Sequence, residues 1–389
     1  MPPEGQRLPL ETPRKLLEHL VLRFPGRERE AKAVVLGLVA GEHVSLIGEP
    51  GVAKTALVEE AARALRAKYF YVQMFEGITP DVVFGPPNIK ALRERGELVF
   101  NTEGYLPDAE IAFLDEGWLA PPAVLHSLHS ILNERRFRNG SKVVNCPLHT
   151  AIVASNEKPK SRSLQAMWDR VLLRLWVKPL PPDLWETYLD TYWDAHASGV
   201  VYQRPQLKLD DFRLLSKAIW RVEWRGVKEA YVRILHELVK KGFWVSDRRK
   251  GRALKAVAAN ALLEGRTICQ PEDLFVLVYV LPSDEKQVEE CQLLLEEKLD
   301  PHAKLLRRLK DLKPQVEALA RSMPGDVGGI PEFVEKVKAA RATIVDIQSQ
   351  AMQDDRVQSL AQELLSTLDE ALRKAAQMVL GDVGPVVQA

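Results

Sequence analysis

His43-Val44-Ser45-Leu46-Ile47-Gly48-Glu49-Pro50-Gly51-Val52-Ala53-Lys54-Thr55-Ala56 passes from an apolar run through a glycine-containing loop into residues with helical spacing. The apolar run predicts a short buried strand, and Ala56 to Ala67 predicts a helix. A loop between strand and helix can turn successive backbone N–H groups toward a phosphate. Gly48, Glu49, Pro50, Gly51, Val52 and Ala53 supply the loop. Lys54 has the reach for the outer phosphates, Thr55 offers a hydroxyl to a hydrated Mg²⁺, and Ala56 continues the helix start. The position before the lysine is usually glycine and is Ala53 here. An added methyl is tolerated there if the residue keeps φ below zero.

Outward from this loop the same grammar repeats. Ile111-Ala112-Phe113-Leu114 ends at Asp115-Glu116, and Thr150 to Ala154 ends at Ser155-Asn156. Leu172 to Val177 is a fourth candidate strand, and 14–24 and 27–40 read as amphipathic helices. Short apolar strands separated by helices predict a parallel sheet covered on both faces, a three-layer α/β core. Ligands of such sheets collect at the carboxyl ends of the strands. Pro80 to Asp108 is too long for a simple link and holds Gly85-Pro86-Pro87 and Leu98-Val99-Phe100, which predicts a folded insertion containing a strand. Asn139-Gly140 within Phe137–Val144 predicts a hairpin turn.

Lys178-Pro179-Leu180-Pro181-Pro182 marks a boundary at about residue 180. Beyond it an all-α region over 181–282 is expected, then a C-terminal domain of long helices over 283–389, triple-helical or coiled-coil-like. Val337, Ala340, Ile344, Ile347 and Ala351 step by three and four, as do Leu360, Leu364, Leu368, Leu372, Ala375 and Val379. Asp300-Pro301 reads as a helix start, and 323–331 as the turn between two helical arms. Residues 285–389 carry 14 basic and 18 acidic side chains, which favours protein contacts.

The strand ends carry the chemistry. Phosphoryl transfer to water needs a carboxylate on the metal and a base for the water, roles that suit Asp115 and Glu116. The Asn156 amide suits the attacking water. Arg170 opens the fourth strand and suits a group projected into a neighbour's site, with Arg135, Arg136 and Arg174 as competitors. Arg248 lies at a helix start that Ser246 would cap and suits a γ-phosphate contact, with Arg249 as the alternative. His126 and His129 share a helix face with no third ligand in view, so a metal there is not expected.

Composition bounds the rest. Of 389 residues, 46% are hydrophobic and 28% charged, with net charge +1, so a large core is available. That balance gives no reason to expect nucleic acid or an anionic membrane as the main partner. Cys146, Cys269 and Cys291 form no CxxC pair, which suits a reducing cytoplasm. No apolar run reaches membrane-spanning length and no apolar leader is visible.

Leu114-Asp115-Glu116-Gly117-Trp118-Leu119-Ala120-Pro121-Pro122-Ala123-Val124-Leu125, followed by Leu132-Asn133-Glu134-Arg135-Arg136-Phe137, resembles the MoxR family of AAA+ ATPases. Val83-Phe84-Gly85-Pro86, Gly104-Tyr105-Leu106-Pro107-Asp108-Ala109-Glu110-Ile111, Phe137-Arg138-Asn139-Gly140 and Ser246-Asp247-Arg248-Arg249 look most like the regulatory ATPase variant A (RavA) branch. The resemblance covers about residues 14–282. It implies an AAA+ core over 1–180, a helix-2 insert over about 77–108, a hairpin before sensor 1 over about 137–144, and a lid over 181–282. It implies ATP and Mg²⁺ as cofactors, with Walker A at Lys54 and Thr55, Walker B at Asp115 and Glu116, and sensor 1 at Asn156. Arg170 matches the arginine finger and Arg248 matches sensor 2. The family forms rings, usually hexamers, that remodel protein clients, often with a von Willebrand factor A domain partner. Better-known members of the branch insert a β-rich domain among the C-terminal helices, where this chain has only 323–331.

Overall fold

A computed structural model describes residues 8–159, 162–197, 203–300, 302–324 and 327–381. Helices α1 (Glu11–Arg23) and α2 (Glu28–Ala40) lead into β1 (Val44–Ile47), which is buried at every position. The phosphate-type loop follows, then α3 (Lys54–Ala64) and β2 (Tyr69–Gln73). The insertion contains α4 (Pro80–Phe84) and α5 (Ile89–Arg95), and precedes β3 (Ile111–Asp115) and α6 (Pro122–Glu134). The hairpin β4 (Arg136–Asn139) and β5 (Lys142–Asn145) is followed by β6 (Thr150–Ser155), α7 (Arg162–Trp168) and β7 (Leu173–Trp176).

Five strands pair in parallel in the order β2-β3-β6-β1-β7. Helix α2 packs on β1, β6 and β7, and α3 packs near β3. The other face is filled by Trp118, Val124, Leu128, Ile131, Met167 and Trp168 against Val72, Leu114, Ala151 and Val153. The expected three-layer parallel core is therefore present. Strand β2 is the element that the sequence pattern did not announce. It lies at the sheet edge and its burial alternates, so it lacks the unbroken apolar run that marks an inner strand.

Two local expectations change. Leu98-Val99-Phe100 forms no ladder strand: Phe100 makes one antiparallel bridge with Pro87. The Asn139 side chain takes the place of a neighbouring strand, accepting from Phe100 N at 2.6 Å and donating to Phe100 O at 2.9 Å. The hairpin turn falls on Gly140-Ser141, because Asn139 pairs with Lys142 and only Gly140 takes a positive φ, of 64°.

Helices α8 (Trp185–Ala197), α9 (Leu209–Ala218), α10 (Val227–Lys240) and α11 (Asp247–Leu263) follow, then a 3₁₀ run over Pro271–Tyr279 and α12 (Glu285–Leu299). The chain divides into two compact units, 1–292 and 293–389. The second holds α13 (Ala303–Arg321), α14 (Ile330–Gln350) and α15 (Asp355–Gly381), three long helices packed on one another. The 3.5-residue stripe is its core: Val337, Ile344, Ile347, Leu364 and Leu368 are each at most 1% exposed. Three helices make this region triple-helical as expected, and residues 351–354 add a second turn besides the one at 323–331. Pro301, residues 325–326 of the first turn and the Val379 side chain lie outside the described residues. No helix among the described residues is long and apolar enough to cross a membrane.

Candidate functional site

The carboxyl edge of the sheet brings the phosphate-type loop beside the ends of β3 and β6. Gly48 N donates to Ser155 O at 3.0 Å, which ties the loop to the end of β6. A Cβ on Gly48 would stand 2.2 Å from Val177 O, so no other residue fits. Ala53 is the N-cap of α3 with φ 64°, which overturns the expectation of a negative φ. The left-handed geometry costs an alanine about 1 kcal/mol, and the turn into α3 imposes it. Gly51 is also positive, at 86°. Such alternation points successive N–H groups into one concavity, which binds anions. The Lys54 ammonium donates to Gly48 O and, at 3.2 Å, to Glu49 O. Partial burial lowers its pKa, while Asp115 and Glu116 act in the opposite direction and lie close enough to do so.

Asp115 ends β3 half-buried, with its Oδ1 accepting from Glu116 N at 3.1 Å. Glu116 has φ 48°, and its Oε2 accepts from the Ser155 hydroxyl at 3.0 Å. Asn156 follows Ser155 and is exposed. The Thr55 hydroxyl and the Asp115 carboxylate form an all-oxygen donor set, which suits Mg²⁺ because that ion takes few protein ligands and keeps its waters.

A cleft of about 620 Å³ adjoins the loop, lined by Glu49 to Ala53, Ala56, Phe24, Pro25, Leu180, Trp185, Tyr188 and Tyr192. Its size and aromatic walls suit the base and sugar of a nucleotide. Sequence reasoning missed this wall. The aromatic spacing of α8 was its only trace, and that spacing equally describes a packing face. At the cleft's polar side Glu60 bonds Arg204 and His19 at 2.6 and 2.8 Å. Burial alone would raise the Glu60 pKa, but these hydrogen bonds bring it below the ordinary value.

Arg170 and Arg248 lie elsewhere. Arg170 precedes β7 in the turn at the amino edge, the edge opposite the phosphate-type loop. Arg248 is exposed in the first turn of α11. Ser246 caps this helix, its Oγ accepting from Arg249 N at 3.2 Å and donating to Asp169 at 3.3 Å. The start of α11 therefore sits on the turn that holds Arg170. The competitors are occupied differently. Arg174 is 3% exposed, lies 4.2 Å over the Trp168 ring and donates to Trp168 O. Arg135 ends α6 and donates to the carbonyls of Leu132 and His149. Arg136 is exposed on the hairpin. Arg249, the alternative to Arg248, is buried among backbone carbonyls.

His126 and His129 gain no third ligand among the described residues. Asp300, His302 and Asp354 do have metal-like spacing, in the second unit. The Arg356 guanidinium already serves that charge, 2.8 Å from Asp300 and 2.7 Å from Asp354.

Residues 11–217 match the model of the MoxR domain in the MoxR-vWA-beta-propeller ternary systems, and residues 227–295 match an AAA lid domain. An uncharacterised protein of Methanocaldococcus jannaschii is 28% identical over 363 residues, 91% of this chain and 96% of that one. Chaperone MoxR1 of Mycobacterium tuberculosis is 29% identical over 156 residues, 39% of this chain and 40% of its own. A solved structure of a proposed ATPase from Cytophaga hutchinsonii shares the fold, with TM-score 0.57 and 15% identity, covering 75% of this chain and 94% of that one.

Proposed function

The chain belongs to the MoxR family of AAA+ ATPases, and on that premise we propose that it is a Mg²⁺-dependent ATP hydrolase acting as a ring of identical subunits to remodel protein partners. In this reading the base and sugar of ATP occupy the cleft beside the loop, and Lys54 and the loop amides bind the outer phosphates. Thr55 and Asp115 would hold Mg²⁺, which would neutralise phosphate charge when bound. Glu116 accepts the proton of the attacking water and Asn156 orients that water. The observation that carries the ring is the separation of the two edges. The loop stands at the carboxyl edge, while Arg170 and Arg248 stand together at the amino edge, so both serve a neighbour's site. The limits 1–180, 181–282 and 283–389 for core, lid and helical domain belong to this reading, as does the hexameric number.

Turnover per subunit should rise with protein concentration and fall roughly a hundredfold in Arg170→Ala. Turnover that ignores both concentration and this substitution overturns the ring. The family model's description favours a von Willebrand factor A domain partner, and the chaperone relative favours remodelling. The motif runs quoted above support a likeness to the regulatory ATPase variant A branch, which belongs to this reading. A Glu116→Gln ring loaded with ATP, used as bait, tests the partner. An ATP-dependent structural change in the captured protein supports remodelling. Recruitment without change replaces it with a nucleotide-dependent assembly switch.

A further inference from the structure

The turn Trp168–Leu172 is held in an unusual way. The end of a helix leaves carbonyls unpaired, and water or a glycine cap ordinarily satisfies them. Here guanidinium groups donate to five successive carbonyls, that of Trp168 at the end of α7 and those of the four turn residues after it. Arg174 Nη2 donates to Trp168 O at 2.7 Å. Arg249 Nη1 donates to Asp169 O and Val171 O at 3.4 and 3.2 Å, and its Nη2 donates to Leu172 O at 3.0 Å. Arg252 Nη1 donates to Arg170 O. Two of these three arginines, Arg249 and Arg252, stand one turn apart on α11.

The same helix face is anchored below the turn. Arg252 Nη2 and Lys255 Nζ both donate to the carboxylate of Glu42, the residue two before β1. Arg249 Nε donates to Val280 O. From the other side, Trp118 packs edge-on against Trp168 with centroids 5.5 Å apart. The turn is thus gripped by α11, by β7 and by the segment that follows Glu116. Such a grip is electrostatically expensive. Arg174 and Arg249 are each 3% exposed and repel one another, with Asp169 as the nearby anion. A glycine cap would close the helix at far lower cost, so closing the helix does not account for the arginines.

We propose that Arg249 and Arg252 are positioning residues for Arg170. They join the lid helix and the finger turn into one rigid piece, and Arg170 reaches the neighbouring subunit's nucleotide only when the lid of its own subunit is seated. Arg248 stands beside Arg249 and is carried on the same piece. The state of one subunit's lid thereby sets the hydrolysis rate in the next site. This rests on the reading of Arg170 as a group acting in trans.

Subunit mixing tests it with the full chain. Arg252→Ala alone should lose roughly tenfold or more in turnover while its affinity for ATP stays within about twofold, since its own loop is intact. Mixed with Lys54→Ala subunits, which cannot hydrolyse but present an intact Arg170, it should regain at least about threefold. A merely destabilised subunit does not recover this way. Arg252→Lys, which cannot bridge Arg170 O and Glu42 together, should lose roughly threefold, recover in the same mixture, and replace the alanine variant if that one does not fold. An Arg252 variant that hydrolyses like the parent overturns the proposal. So does a dead mixture when Arg170→Ala with Lys54→Ala recovers. If that control mixture is also dead, the trans reading of Arg170 falls and the clamp falls with it.

Discussion

At the carboxyl edge of the sheet the charged groups stand half-buried at strand ends, close to a cleft. At the amino edge Arg174, Arg249, His43 and His149 are sunk in protein and bonded to backbone groups, while Arg248 is exposed. Lys54, Asp115 and Glu116 remain accessible, and the backbone around them is strained, with φ of 64° at Ala53 and 48° at Glu116. Arg174, Arg249, His43 and His149 are at most 8% exposed, and each bonds at least one backbone group. Substitutions at the first edge should therefore cost rate, and substitutions of these four buried groups at the second should cost stability.

The largest effect should sharpen this contrast. Glu116→Gln should lower turnover by about a thousandfold while leaving the denaturant midpoint unchanged, because the amide keeps the shape and the Ser155 contact. A large loss of stability in that variant would break the contrast. Arg249→Ala should do the reverse to the fold, leaving carbonyls without donors at a cost of about 3 kcal/mol by denaturant titration. Full stability in that variant would show that the amino edge tolerates orphan carbonyls.

Acid should strike the amino edge first. Burial lowers the His149 pKa from 6.5 to about 4, against the Leu38 carbonyl bond that favours the charged form, with Arg213, Arg135 and Lys255 adding repulsion. Burial also lowers His43. The unfolded chain takes up a proton near pH 6.5 and the folded chain does not. The stability owed to His149 is complete above that pH and is lost as pH falls toward 4, by roughly 3 kcal/mol. Melting curves at pH 7.5 and 5 should separate accordingly, and His149→Gln should narrow the gap. The smallest effect lies at the loop. Ala53→Gly relieves the left-handed alanine but frees the unfolded chain, for a net gain of roughly 0.5 kcal/mol with turnover preserved. A loss of stability there would mean that the methyl packs usefully.

The motifs at the carboxyl edge were legible because each is a few contiguous residues at the end of a strand. Chain direction alone sends the ends of parallel strands to one edge. The heptad stripe of the second unit was legible for a similar reason, since Val337 to Ala351 bury one face of a single helix. Edge strand β2 was hidden by its half-exposed alternation, and the positive φ of Ala53 by a turn that only the docked loop imposes.

Tertiary structure alone decided the amino edge. Arg174, Arg249 and Arg252 are ordinary arginines in the sequence, and nothing near residue 250 refers to carbonyls near residue 170. The bonds of Arg249 and Arg252 exist because α11 folds back across about eighty residues of intervening chain onto the end of α7, whereas Arg174 reaches Trp168 O from the adjoining strand β7. The sequence by itself determined that a loop of the phosphate-binding type follows β1 and which strand ends lie beside it. Which arginines point outward and which are buried as clamps depended on long-range packing, where burial decides whether a guanidinium meets solvent or a carbonyl.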